Sequence, residues 1–73
     1  MRTFLRSLDL SGPCAERIER RLLDLPGVER AMAETVTGRI VVDHDRVPDS
    51  DLVAAMADVG HVARVTSRAK VPA

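Results

Sequence analysis

Three breaks do most to limit what this chain can become: Pro26-Gly27, Val36-Thr37-Gly38 and Gly60. Proline disfavours helical geometry in the residue before it and glycine tolerates left-handed turns, so each break ends one run and lets another begin. The runs themselves differ in period. TFLRSLDL, residues 3–10, alternates imperfectly, with Phe4, Arg6, Leu8 and Leu10 on one face and Leu5, Ser7 and Asp9 on the other, and reads as a strand with an irregular end. From Pro13 to Leu25 the apolar residues Cys14, Ile18, Leu22 and Leu25 recur at helical spacing among Glu and Arg. Pro13 suits the first helical position, which makes Gly12 or Ser11 the cap.

After Pro26-Gly27, two extended runs flank Val36-Thr37-Gly38 as a β-hairpin. Ile40, Val42 and His44 share a face on the second arm, and the facing residues on the first arm, Ala31 and Ala33, are small, so the core beneath them should be thin. Asp49 or Ser50 can cap a second helix with the stripe Leu52, Ala55, Met56 and Val59, which Gly60 terminates. His61 to Ser67 reads as a final strand, and residues 68–73 as a flexible tail or linker. The order β-α-β-β-α-β, in one domain spanning residues 1–67, predicts an α+β ferredoxin-like sandwich: a four-stranded antiparallel sheet with both helices on one face.

Several functions are disfavoured by what the chain carries. Eleven basic and eleven acidic side chains cancel, interleaved instead of clustered, and Phe4 is the lone aromatic, so neither the charge pattern nor a stacking platform expected for nucleic acid is present. No apolar run approaches the roughly 20 residues of a membrane span, and no direct membrane insertion is expected. Cys14 is the only cysteine, which rules out an internal disulfide and the resolving partner of a dithiol redox site. A catalytic role for Cys14 needs a base and an orienting third group that the sequence does not set out, so no enzyme is expected.

Cys14 nonetheless stands at the mouth of a helix, behind Ser11-Gly12-Pro13. There the free backbone N–H groups and the positive end of the helix dipole favour the thiolate, the form that binds metal. The plainer reading is a small hydrophobe continuing the Ile18 and Leu22 stripe. His44, beside Asp43 and Asp45, reads as a hairpin-end residue, because adjacent strand residues point to opposite faces.

These segments together resemble the heavy-metal-associated domain family, which includes copper chaperones and the N-terminal domains of metal-transporting P-type ATPases. In that family a Met-x-Cys-x-x-Cys loop leads into a helix like AERIERRL, followed by a Pro-Gly-Val turn, a hairpin containing Thr-Gly, and a helix ending in Gly-Tyr. Here Cys14 falls on the second motif cysteine, Pro26-Gly27-Val28 on the turn, VTGRIVVDHD on the hairpin and LVAAMADVGHVARV on the closing helix and strand, so the likeness runs over about residues 3 to 66. Ser11 stands in the place of the first cysteine and Asp9 in that of a core methionine, with Leu8 or Leu10 left as substitutes for the latter. His61 replaces the tyrosine.

Without a membrane span, and with MRTFLRSLDL not reading as a signal peptide, a soluble, cytoplasmic domain, or a cytosolic domain of a membrane transporter, is expected, and the resemblance fits this. It implies binding and trafficking of Cu(I), with Zn(II) or another soft divalent ion as alternatives. The site this points to is Cys14, with His61 as a replacement ligand, since imidazole is a competent donor to copper and zinc, and with Ser11 behind them, because a neutral hydroxyl is a poor ligand for soft ions and Ser11 reads first as a cap. The implied partner is a metal-transporting ATPase or another metal domain, or a second copy sharing one ion through Cys14. The alternative is a module that has lost its metal and serves in protein interaction or regulation.

Overall fold

The computed structural model describes residues 1–8 and 10–70. The elements are β1 (Arg2–Ser7), α1 (Gly12–Leu23), β2 (Val28–Glu34), β3 (Arg39–His44), α2 (Asp49–Asp58) and β4 (Ala63–Ala69). All pairings are antiparallel and the strand order is β2-β3-β1-β4, the ferredoxin-like sandwich expected from the sequence.

One face of the sheet is covered. Leu5, Ile40 and Val42 meet Ile18 and Leu22 of α1 and Leu52, Ala55 and Met56 of α2 in a single core. On β1 the buried row is Thr3, Leu5 and Ser7, while Phe4 and Arg6 lie on the open face; the more apolar row of the sequence is therefore the outer one. Core position is set here by the pairing register and not by the hydrophobicity of the row. Ala31 and Ala33 are half-buried against the core, as their small size requires. β2 is an edge strand, and the carboxylate of Glu19 on α1 accepts the N–H of Ala33 at 2.9 Å, which satisfies one outward-facing donor.

The element ends differ from the sequence reading at both ends of α1, at the start of α2 and at both ends of β4, and β1 runs Arg2–Ser7 instead of residues 3–10. α1 stops at Leu23 with Asp24 as its cap, because the Asp24 N–H already reaches the Arg20 and Arg21 carbonyls. Ser11 holds the N-cap position of α1 and Pro13 is the second helical residue instead of the first. α2 is capped by Pro48 and not by Asp49 or Ser50: Pro48 is extended and its carbonyl accepts the Asp51 N–H, while Asp49 and Asp51 fall in the first turn, where negative charge suits the helix dipole. β4 begins at Ala63 because the His61 N–H is tied back to α2, and it continues to Ala69, two residues past Ser67. Arg68 pairs with Thr3, lies 2.6 Å from the Asp49 carboxylate and donates to the Val47 carbonyl, which holds this end in the sheet. Residues 71–73 of the expected tail lie outside the described residues.

His44 ends β3 at the pole away from Cys14 and is 2% exposed. Its Nδ1 accepts the Val47 N–H at 3.1 Å, so in the neutral ring Nε2 carries the proton and donates to Thr3 Oγ1 at 2.7 Å. Burial lowers its pKa below the ordinary 6.5, helped by the positive charge of Arg68 and the N-terminus and opposed by Asp49 and Asp43. Beside it, Arg2 faces Asp43 directly across β1 and β3, in a two-pronged ion pair at 2.7 and 3.2 Å that holds the Asp43 carboxyl below the usual range.

Two predictions follow from these contacts. With its folded pKa depressed, His44 contributes stability that is complete above the unfolded value near 6.5 and is lost as pH falls through the folded value. Urea unfolding at pH 8 and pH 5.5 should therefore show a lower midpoint in acid. His44→Leu should flatten that difference while costing about 1–3 kcal/mol at pH 8 through the unpaired Thr3 and Val47 groups. At the opposite pole, Gly38 has φ +71°, and a Cβ there would meet the Ser7 carbonyl oxygen. Gly38→Ala should lower the unfolding free energy by at least about 1 kcal/mol, read by urea titration.

Candidate metal site

Three loops meet at one pole of the sheet. β1 ends there at Ser7, β4 begins there opposite it at Ala63, and the hairpin turn between β2 and β3 closes there at Gly38. Ser7 ties them: its N–H donates to the Gly38 carbonyl at 2.9 Å and its hydroxyl to the Val62 carbonyl at 2.8 Å. The β1–α1 segment carrying Ser11 and the α2–β4 segment carrying His61 are thus neighbours.

Cys14 is half-buried in the first turn of α1. Ile18 and Leu22, four and eight residues on, are fully buried, so Cys14 is the outer end of a buried stripe and meets solvent at the exposed Ser11-Gly12-Pro13 segment. The two readings of the cysteine, core filler and accessible thiol, describe the two sides of this border position. No carboxylate lies in the first turn to offset the positive end of the helix. Ser11 has extended backbone (φ −107°, ψ 167°) and its carbonyl accepts the Ala15 N–H at 2.8 Å, but its hydroxyl makes no capping bond.

His61 owes its position to the way α2 ends. The His61 N–H bonds the Met56 carbonyl at 3.0 Å, the Gly60 N–H bonds Ala57 at 2.9 Å, and Gly60 has φ +87°, which together make a Schellman closure. The closure fixes the backbone of a half-buried imidazole beside Val62, the residue held by Ser7. Among the described residues, no group of three or more His, Cys, Asp or Glu side chains is gathered to hold a metal. His44 belongs to the opposite pole and to the core, in line with its reading as a hairpin-end residue.

Leu10 packs against the core whereas Leu8 is 81% exposed, so of the two leucines Leu10 takes the inward place before α1. Asp9 lies outside the described residues. The sequence reading missed Ser7, the residue that organises the pole. Its signal was present in the row Thr3, Leu5, Ser7: a small polar residue at the end of a buried row needs hydrogen-bond partners.

The model of the family described as "Heavy-metal-associated domain" matches residues 10–61. Among solved structures, the CopZ metallochaperone is 25% identical, with a TM-score of 0.83 over 88% of this chain and 100% of that one. The N-terminal domain of PacS from Synechocystis PCC6803 is 25% identical, with a TM-score of 0.82 over 92% of this chain and 98% of that one. A copper binding domain from HMA7, a P-type ATPase, is 20% identical with a TM-score of 0.85 over 90% and 93%, a likeness of fold alone. No curated protein sequence matches significantly. With its sandwich, its pole of three loops and a family match over most of its length, the chain belongs to the heavy-metal-associated domain family.

Proposed function

We propose that this domain binds and passes on a soft metal ion, Cu(I) foremost, through the Cys14 thiolate with the His61 imidazole as second donor. The observation that carries this reading is the pairing of loops at Ser7: the hydrogen bond to Val62 keeps the segment after His61 against the segment that leads to Cys14. Thiolate is a soft donor suited to Cu(I), and imidazole suits copper and zinc alike. A structural zinc site wants four ligands, so a thiolate and an imidazole without a larger cluster favour Cu(I), which accepts low coordination. Ser11 lines the approach and is a weak third donor at most.

A site of two donors, with its thiol at the exposed mouth of α1, suits an ion held as cargo and not as a resident cofactor. Release proceeds by ligand exchange with thiolates of a partner, for which a metal-transporting ATPase or another metal domain is the natural recipient. Two chains sharing one ion through their Cys14 thiolates is the dimeric form of the same chemistry. The chain does no catalysis in this reading, and it acts in the cytoplasm or on the cytosolic side of a transporter. The absence of a second cysteine at Ser11 favours a second reading, in which the domain keeps the sandwich without metal and serves as an interaction module.

An anaerobic Cu(I) titration of the reduced chain against a competing chelator, with native mass spectrometry, tests both. Metal capture should vanish in Cys14→Ser and weaken by about tenfold or more, ~1.4 kcal/mol, in His61→Ala, with both variants folded. One ion per chain supports the Cys14 and His61 site, and one ion per two chains supports the shared thiolates. Ser11→Cys should tighten binding by about two orders of magnitude or more. A folded chain that takes no copper from the chelator overturns the metal reading in favour of the interaction module.

A further inference from the structure

The open face of the sheet carries an arrangement that folding alone does not account for. Arg6 stands directly opposite Arg39 on β3 and directly opposite Arg64 on β4, so three exposed arginines lie in register across adjacent strands. Like charges facing each other across a ladder are destabilising. Among the described residues none of the three is in an ion pair. Glu34 faces Arg39 from β2, yet its carboxylate accepts the Thr37 hydroxyl at 3.2 Å instead, and Arg39 turns over the ring of Phe4, 4.9 Å from its centroid.

The next row toward the opposite pole is apolar. Met32, Val41 and Phe4 are paired side by side, and they line a shallow groove of ≈ 550 Å³ whose charged walls are Arg2, Arg30 and Arg39 against Glu29 and Asp43. The chain as a whole is electrically neutral, and α2, on the covered side of the sheet, bears Asp49, Asp51 and Asp58 with no basic residue. α1, on the same covered side, bears Arg17, Arg20 and Arg21 beside Glu16 and Glu19, so what sets the open face apart is the in-register row of arginines next to an apolar strip.

We propose that this face docks an extended acidic segment of a partner protein, one that alternates carboxylate and apolar side chains. An extended chain sends successive side chains to opposite sides. Laid between the two rows, it directs carboxylates onto Arg39, Arg6 and Arg64 and apolar groups onto Met32 and Val41, beside the Arg39-covered ring of Phe4. Guanidinium groups match carboxylates in two-pronged geometry, which gives the row selectivity as well as attraction. Nucleic acid fits less well, since the single aromatic ring is already covered by Arg39 and offers no free face for a base to stack on. A lipid surface fits less well too: Phe4 and Val41 are half-buried, which leaves Met32 and Leu23, 57% and 49% exposed, as the large apolar side chains of the groove that could enter it. The docking is independent of metal.

The test is fluorescence anisotropy of the whole chain with a labelled octapeptide of alternating Glu and Leu, alongside a Lys–Leu octapeptide, a single-stranded oligothymidylate of eight nucleotides and vesicles containing phosphatidylserine. Saturable binding of the Glu–Leu peptide is expected, weakened about tenfold or more in the double variant Arg6→Gln/Arg64→Gln and weakened likewise in Met32→Asp. The double variant should also unfold at the same or a higher urea concentration, because it relieves the facing charges, so a loss of binding is not a loss of fold. Three results overturn the proposal: no saturable binding of the Glu–Leu peptide, binding unchanged in both variants, or equal affinity for the oligonucleotide or the vesicles.

Discussion

Two hydrogen bonds from one small residue decide how this domain is organised. Ser7 gives its amide to the hairpin turn at Gly38 and its hydroxyl to the carbonyl of Val62, so the three loops at one pole share a single anchor. Serine suits the position because it is compact and carries both a main-chain and a side-chain donor: a larger residue displaces the turn, and alanine leaves the Val62 carbonyl without its partner. The stringent backbone at Gly38 is the other half of the same contact, since only a residue without a Cβ lets the Ser7 carbonyl come so near. The opposite pole is held by a different device, a buried imidazole between Thr3 and Val47, whose two ring nitrogens serve one donor and one acceptor.

Much of this was legible from period and punctuation. The switch from alternation to helical spacing after Pro13 and the stops at Pro26-Gly27 and Gly60 located every element, because backbone chemistry acts locally and leaves its residue types in place. The covered side of β1 was not legible: Phe4 and Leu8 look like core residues, yet the Leu5 row is the one in register with Ile40. Which row is buried depends on the partner strand, and that is a non-local fact. The ends of β4 were misjudged for a similar reason. His61 is claimed by the end of α2 and Arg68 by Thr3, Val47 and Asp49, contacts that join residues far apart in the chain.

The candidate site was partly legible in the same sense. Cys14 could be placed at a helix mouth from Pro13 alone, and the family resemblance, now borne out by the match over residues 10–61, supplied His61 as its companion. The Schellman closure that fixes the His61 backbone was half visible, since Gly60 announces it and the carbonyls it satisfies belong to the helix before it. The choice between Leu8 and Leu10 was beyond a strand pattern, because the two side chains lie on one nominal face and the chain has already left the sheet. The arginine row was the least visible feature, for Arg6, Arg39 and Arg64 are far apart in the sequence and become a row only through pairing.

The pairing of Arg2 with Ala69 has a bearing on attachment. β1 starts and β4 finishes side by side at the pole of His44, while Cys14 sits at the far one, so both strand ends lie at the pole opposite the thiol. An attachment made at either strand end, whether a bead, a fluorophore or a neighbouring domain, starts from the pole opposite Cys14. A domain tethered in this way behaves like a hand on a wrist: the joint sets its reach and the grip stays free.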